Sequence, residues 1–266
     1  MTDLIAPRLY CIGTHHKTGT LWLRGVFRRL ANQLGVAHHV VYPNQGLKKV
    51  PEAERVFLFQ WSSLFPDILL DRPDARILHM IRDPRDVLLS GMRYHLHAPP
   101  EGEQFLHEPR DDLGGRTYQA HLNALPSEEE RLLFEMREKH AQTVAEMTAW
   151  TYDRPNTIEV RYEDLMQDTD CRAFREHLRD LGLPEPEVDQ GCRIFWNRSL
   201  FGGLADEAAR GDRVGAHVAS GKIAQWRTRL PRAVAEIYAE AHGSDLVTLG
   251  YETHPTAWLE ELRDAA

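Results

Sequence analysis

The chain has 266 residues, a length typical of one large domain or two small ones. Its 32 basic and 40 acidic residues give a net charge of −8, which argues against general binding of nucleic acid or of an anionic membrane surface. The cysteines Cys11, Cys171 and Cys192 are too few for a disulfide framework and fit a reducing compartment. The sequence has neither a long apolar run nor a signal-peptide pattern, so we expect a cytoplasmic globular protein.

Short apolar runs alternate with amphipathic helical patterns along the chain. The first strand is predicted at residues 9–13 (LYCIG), and the helix that follows is expected to end at Gly35. Further strands are predicted at residues 40–42, 55–59, 76–81 and 157–161. Further helices are predicted at residues 84–95, 128–151, 171–181 and 231–242, the last ending before Gly243. This alternation predicts a three-layer α/β fold with a central, mainly parallel sheet flanked by helices.

Residues 97–130 interrupt this alternation with a long polar stretch that is rich in proline and glycine. Loops of this length are usually functional or disordered, so we expect a lid with short helices. The lid would be an insertion into one domain that spans residues 1–266.

The segment GTHHKTGTLW, residues 13–22, lies between the first strand and the first helix. Unpaired N–H groups at a helix start, together with the positive end of the helix dipole, form a site for phosphate. Lys17 adds a positive charge, and Gly19 lets the backbone approach an anion closely. In the nucleotide-triphosphatase loop the lysine follows the second glycine, whereas Lys17 precedes Gly19 by two residues. A strand-to-helix turn capped by a threonine is the alternative interpretation.

A second motif, ILHMIRDPRDVLLSGMRYH, covers residues 77–95. Arg82 directly follows a predicted strand, where open α/β sheets bind ligands, and Ser90 lies on the next predicted helix. Arginine can hold a terminal phosphate by two parallel hydrogen bonds, and serine can add a third. The alternative is that Arg82 pairs with Asp83 or Asp86 and only ties the helix to the sheet.

Together the two motifs resemble those of the PAPS-dependent sulfotransferase family, whose fold is P-loop-like. RYEDL at 161–165 and GKIAQWRTRLP at 221–231 are similar to later segments of that family and follow in the family's order. The resemblance implies transfer of a sulfuryl group from 3′-phosphoadenosine 5′-phosphosulfate (PAPS) to a hydroxyl or amine of a small-molecule acceptor, leaving PAP. It implies no metal, and it leaves a homodimer open. The lid at residues 97–130 would then cover the acceptor. Its carboxylates would suit a cationic acceptor, although a solvated acidic loop is the simpler interpretation.

The resemblance also assigns residues to the donor. It implies that the loop holds the 5′-phosphosulfate and that Lys17 is catalytic, because it neutralises the charge that develops on the leaving phosphate oxygen. It implies that Arg82 and Ser90 bind the 3′-phosphate. The other donor-binding residues that it implies are Thr18, Gly19, Thr20, Leu21, Trp22, Tyr162, Gly221 and Lys222. Phe195 is a looser match to a phenylalanine that stacks on adenine.

Several positions depart from the family pattern. Gln60 stands near the place of the family's base histidine, and an amide cannot take a proton from an alcohol. Ala224 replaces a glycine of the C-terminal segment. An arginine that other members carry before Ser220 is missing, and the candidates to replace it are Lys222, Arg213 and Arg227.

The chain is rich in histidine, with 14 residues. His38 and His39 follow the first helix, where other members carry a catalytic glutamate, and they are our candidates for the general base. Two ordinary strand or loop histidines are the alternative. In the loop, His15 and His16 are expected to be structural. A further group of histidines is expected on the polar lid, and its spacing is not that of a known zinc site: His95, His97 and His107.

Two other functions stay open on the sequence. A P-loop kinase using ATP would need a differently placed lysine and an acidic residue where Arg82 follows its strand. A non-catalytic module that binds PAP or another nucleotide is favoured by Gln60 and by the missing C-terminal arginine.

Overall fold

The computed structural model describes residues 6–42, 50–101, 103–198 and 223–263. The chain divides into two compact units. The sheet unit comprises Met1–Arg82 and Ala149–Lys222, and the helical unit comprises Asp83–Thr148 and Ile223–Ala266. The expectation of a single domain over residues 1–266 stays a prediction.

The strands and helices alternate through the first half of the chain, as predicted. The strands are β1 Leu9–Gly13, β2 Ala37–Val40, β3 Val56–Gln60, β4 Ala75–Ile81 and β5 Thr157–Arg161. The helices are α1 Thr20–Leu34, α2 Asp67–Leu70, α3 Pro84–His97, α4 Tyr118–Ala124, α5 Glu128–Glu135, α6 Ala141–Thr148, α7 Tyr162–Gln167, α8 Arg172–Asp180, α9 Glu185–Arg198, α10 Trp226–Arg229 and α11 Arg232–Thr248. The strand predicted at residues 40–42 is displaced, because β2 ends at Val40.

The five strands form one sheet in the order β2-β3-β1-β4-β5, and every pair is parallel. The central strands are apolar without interruption because both faces of the sheet are covered. One face packs against α1, α7, α8 and α9, with Ile12, Phe59 and Met80 among its buried side chains. The other face packs around α2 and Trp150. The prediction of an α/β fold with a parallel sheet flanked by helices is confirmed.

Helix α1 shows why the sequence pattern identified it. Its buried residues recur at helical spacing: Leu23, Val26, Phe27, Leu30 and Ala31. The helix ends at Gly35, whose φ of 66° is left-handed and whose N–H donates to the carbonyl oxygens of Ala31 and Asn32. Glycine adopts this conformation without steric cost, which is why it ends helices so often.

The helical unit has its own apolar core, to which α3, α4, α5 and α11 contribute. The predicted helix at residues 128–151 is divided into α5 and α6 by a π turn, Met136–His140, and it ends at Thr148. The predicted lid, residues 97–130, contains α4, and Tyr118 of that helix is buried in the core. This segment is therefore folded in part, and its role as a lid stays a prediction.

Two expectations for this unit are wrong. Helix α11 does not end before Gly243 but continues to Thr248. Gly243 is needed for packing, because a Cβ there would lie 2.5 Å from the Pro255 carbonyl oxygen. His95 is fully buried on α3 instead of lying on a polar lid, and its Nδ1 is 2.7 Å from Glu135 Oε2.

Candidate functional site

The candidate site lies in the sheet unit, at the carboxyl ends of β1 and β4. From β1 the chain continues toward β2 and β3 on one side of the sheet order, whereas from β4 it continues to β5 on the other side. Open α/β sheets bind ligands at the point where the connections from two neighbouring strands run to opposite sides of the sheet. Residues 14–19 follow β1 and Arg82 follows β4, so the topology brings parts of both sequence motifs to this point.

The loop after β1 closes around the carbonyl oxygen of His15. That oxygen accepts hydrogen bonds from the Thr18 N–H at 3.2 Å and from the hydroxyls of Thr18 and Thr20 at 2.9 Å each. The His15 N–H donates to Thr18 Oγ1 at 2.9 Å. Lys17, at the tip, has a left-handed φ of 60°. The two threonine hydroxyls, predicted as donors to the phosphate, therefore shape the loop in this structure.

Gly19 begins α1 with a φ of 100°, a conformation that favours glycine. A Cβ at Gly19 would lie 3.0 Å from Tyr162 Cδ2. Among the described residues, neither a side-chain cap nor an acidic residue occupies the first turn of α1, and Leu21 there is 72% exposed. The start of this 15-residue helix therefore carries no negative charge of its own, and the phosphate site predicted there stays a prediction.

Arg82 joins the two motifs within the sheet unit. It is 4% exposed, and its Nη1 donates to the Lys17 carbonyl oxygen at 3.1 Å. Its guanidinium carbon lies 4.4 Å above the centroid of the Tyr162 ring. This hydrogen bond and this aromatic face help to fix the buried guanidinium beside the loop.

Trp22 and Tyr162 bring aromatic surface to the same place. Their ring centroids are 6.2 Å apart in an edge-to-face arrangement, and Trp22 also packs on Phe195 at 5.1 Å. The indole N–H of Trp22 is buried and has no acceptor within the described ranges, so a ligand with an acceptor atom would satisfy it. Phe195 is fully buried and stacked on Phe174, which makes it a support for Trp22.

The register of the sheet does not bring His38 and His39 to the loop. His38 is level with Phe57 of β3 and hence with Tyr10 of β1, three residues before the end of that strand. At about 3.3 Å per residue and about 4.8 Å per strand, this is ~10 Å along and ~10 Å across the sheet from the loop. Burial, and then the charge of Arg28, lower the pKa of His38. A base role for either histidine stays a prediction that this placement does not favour.

Gln60, which stands where family members have a base histidine, ends β3. Its Oε1 accepts the Ser62 N–H at 2.5 Å, and its carbonyl oxygen accepts the Thr14 N–H at 3.1 Å. The side chain therefore stabilises the turn after β3, and the backbone fixes the first residue of the loop.

The rest of the second motif lies in the helical unit. Asp83 caps α3 by accepting the Arg85 N–H at 2.9 Å, and its other oxygen accepts the indole N–H of Trp226 at 3.1 Å. Asp86 accepts the Trp226 N–H at 3.0 Å. Both aspartates thus hold the C-terminal segment, a role that sequence reasoning missed. Ser90 is half-buried on α3, and its pairing with Arg82 on a 3′-phosphate stays a prediction.

The candidates for the missing C-terminal arginine are only partly visible. Gly221, Lys222 and Arg213 lie outside the described residues. Arg227 pairs with Glu261 at 2.5 Å within the helical unit. Ala224, at the place of a family glycine, has a left-handed φ of 53°, so the backbone keeps the glycine conformation without the glycine.

In the described part of the chain, no helix is long and apolar enough to cross a membrane. A search of the curated proteins gave no match. Solved structures give similarity of fold across most of the chain. A retinol dehydratase in complex with androsterone and inactive cofactor PAP is 15% identical, covers 91% of this chain and 81% of its own, and has a TM-score of 0.51. The same enzyme with retinol and PAP is 14% identical over 91% and 82%, with a TM-score of 0.50. The mouse sulfotransferase SULT7A1 complexed with PAP is 15% identical over 90% and 84%, with a TM-score of 0.49.

The comparison with protein families is decisive for membership. The family described as the sulfotransferase domain matches residues 10–246, which include most of β1, the loop, Arg82 and most of α11. The chain therefore belongs to the PAPS-dependent sulfotransferase family, and the resemblance of its sequence motifs is confirmed.

Proposed function

We propose that this sulfotransferase moves a sulfuryl group from PAPS to a hydroxyl or amine of a small-molecule acceptor, with the loop after β1 holding the 5′-phosphosulfate. The observation that carries the proposal is the start of α1, which has neither a side-chain cap nor an acidic residue in its first turn among the described residues. Beside it, buried Arg82 donates a hydrogen bond to the Lys17 carbonyl oxygen. A site that combines helix N–H groups, a lysine and an arginine suits a group that carries several negative charges.

The transfer requires that the acceptor oxygen or nitrogen attacks sulfur in line with the departing phosphate oxygen. The new bond to sulfur forms as the bond between sulfur and that phosphate oxygen breaks, and the proton of the acceptor passes to solvent. The contribution of the chain is positioning and charge stabilisation, as in phosphoryl transfer. Lys17 neutralises the negative charge on the departing oxygen, and the start of α1 fixes the phosphate.

The adenosine part of the donor is proposed to lie against Trp22 and Tyr162. Trp22 offers an indole N–H that has no partner within the described part of the chain, and Tyr162 offers a ring that is already fixed by Arg82. The two retinol dehydratase structures are complexes with PAP, which supports the same nucleotide here. Arg82 and Ser90 are proposed to hold the 3′-phosphate.

The three cysteines are free and buried, which fits a cytoplasmic location.

The proposal is tested first by ligand-induced thermal stabilisation with PAP, beside ATP plus magnesium. A ligand at 100 times its dissociation constant adds about 2.7 kcal/mol to stability. We expect stabilisation by PAP without any metal. Stabilisation only by ATP with magnesium would instead support a kinase.

The Lys17→Ala variant then separates an enzyme from a binding module. We expect a fall in turnover of about 100- to 1,000-fold, the usual effect of removing one group that stabilises developing charge, with a much smaller loss of PAP affinity. Lys139→Ala is the matched control, because the Lys139 ammonium contacts Gln142 and Phe105, both in the helical unit. PAP binding without sulfuryl transfer to any of a panel of phenols, alcohols and amines would favour the non-catalytic module.

A further inference from the structure

Three polar side chains form a hydrogen-bonded row beneath the loop after β1, residues 14–19. Glu159 Oε2 lies 2.6 Å from His79 Nδ1, and His79 Nε2 lies 2.9 Å from His15 Nε2. Both histidines are fully buried, and Glu159 is about one-third exposed. The row therefore connects the edge of the sheet unit with the loop residue that accepts three hydrogen bonds from its neighbours.

The row is built by the register of the sheet. His79 of β4 is paired with Gly13 of β1 on one side and with Glu159 of β5 on the other. Directly opposed residues in neighbouring strands direct their side chains to the same face. Trp150 fixes the centre of the row, because its ring stacks on His79 with 4.1 Å between centroids.

The protonation of the row follows from its donors and acceptors. The Trp150 indole N–H donates to Glu159 Oε1 at 2.8 Å, so the carboxylate acts as an acceptor on both oxygens and His79 Nδ1 carries a proton. Burial lowers the pKa of His79, and the hydrogen bond and charge of Glu159 oppose this, so His79 is neutral at pH 7. His79 Nε2 is then an acceptor, which makes His15 Nε2 the donor.

The position of His15 controls the loop. Its carbonyl oxygen accepts hydrogen bonds from the N–H of Thr18 and from the hydroxyls of Thr18 and Thr20, and its ring bonds to His79 of the row. A shift of the ring would move the carbonyl oxygen and, with it, the residues on either side of Lys17. If only a fraction of molecules keeps the binding form, the apparent affinity for the donor falls by that fraction.

We infer that Glu159 and His79 are positioning residues for the donor loop, which act through His15 and set its tautomer. The inference rests on the proposed function only in taking the nucleotide as the ligand of that loop. Neither residue touches the donor in this assignment. Both act by keeping the loop in its binding form before the donor arrives.

The first test needs no ligand. Long-range ¹⁵N–¹H correlation spectra at pH 7.5 report which ring nitrogen of each histidine carries a proton. We expect the Nδ1–H form of His79 and a proton on Nε2 of His15. A proton on Nε2 of His79, or a bare Nε2 on His15, would overturn the inference.

The second test uses the variants His79→Phe and Glu159→Gln. His79→Phe keeps a ring for stacking on Trp150 and removes both hydrogen bonds. We expect faster amide exchange at His15 and Thr18, a rise in the Kd for PAP and in the KM for PAPS of roughly tenfold, and a kcat within about threefold of wild type. Glu159→Gln keeps the volume and should move the same quantities less.

Asp164→Asn, an exposed amide substitution on α7, is the matched control and should change none of these quantities. A variant that loses stability while loop exchange, Kd and KM stay at wild-type values would show a purely structural role and refute the inference. If His79→Phe does not fold, Glu159→Gln decides by the same readouts. If the wild type binds no PAP, the proposed function fails, whereas the tautomers and the loop exchange still decide the positioning role.

Discussion

Gly19 is the position in the loop after β1 where one added methyl group would disturb the packing most. Gly19 and Gly35 begin and end the same helix, and both are left-handed, with φ values of 100° and 66°. An alanine in that conformation lowers the free energy of unfolding by about 1–2 kcal/mol. At Gly35 nothing lies within 4 Å of the added Cβ, whereas at Gly19 it would lie 3.0 Å from Tyr162 Cδ2 and 3.1 Å from Met80 Cε. Crowding of this kind costs about 1–3 kcal/mol more.

We therefore expect Gly35→Ala to lower the free energy of unfolding by about 1–2 kcal/mol and Gly19→Ala by about 2–5 kcal/mol. Urea denaturation followed by circular dichroism measures both. Gly35→Ala should leave the Kd for PAP unchanged, whereas Gly19→Ala should raise it more than about tenfold, because Tyr162 and the helix start must move. Equal losses of stability in the two variants, or an unchanged Kd in Gly19→Ala, would refute the packing argument.

Three further predictions concern the rest of the chain. Ala224 has a φ of 53°, so Ala224→Gly should raise the free energy of unfolding by about 0.5–1 kcal/mol in urea titrations, and a loss would contradict the strain. Burial raises the pKa of the Cys11 and Cys171 thiols to about 12, and Cys192 is also buried. Ellman's reagent at pH 8 should therefore react with the three thiols only after unfolding, and prompt reaction of the native protein would refute this. Burial lowers the pKa of His177 from 6.5, so its stabilising contribution is present above pH 6.5 and is lost as the pH falls below it. Urea titrations at pH 7.5 and 5.5 should show a smaller drop in His177→Gln than in wild type, and an equal drop would contradict the assignment.

Local patterns predicted much of the sheet unit. β1 and β5 have the predicted bounds, and β3 and β4 differ by one residue at their ends. Helix α1 ends before Gly35 as expected, because amphipathic spacing and glycine conformation act over a few neighbouring residues. It begins at Thr20, inside the segment 13–22 that the sequence pattern placed before the helix. The same short range explains why the loop motif was readable from its spacing alone. The family membership followed from these motifs and is confirmed over residues 10–246.

Contacts between distant segments decided the remainder. Gly243 reads as a helix end, but it lies inside α11, where Pro255 leaves no room for a side chain. His38 and His39 follow the first helix, as the base was expected to, yet the pairing of β2 with β3 sets them back from the loop.

The row beneath the loop is the clearest example of what the sequence alone cannot supply. His15, His79 and Glu159 carry no spacing signal, because they are separated by 64 and 80 residues and meet only through strand register. The sequence by itself determined most strands and helices of the sheet unit, and the family, since each depends on neighbouring residues. Tertiary structure decided which buried polar groups support that loop, because register fixes side-chain partners that no local pattern encodes.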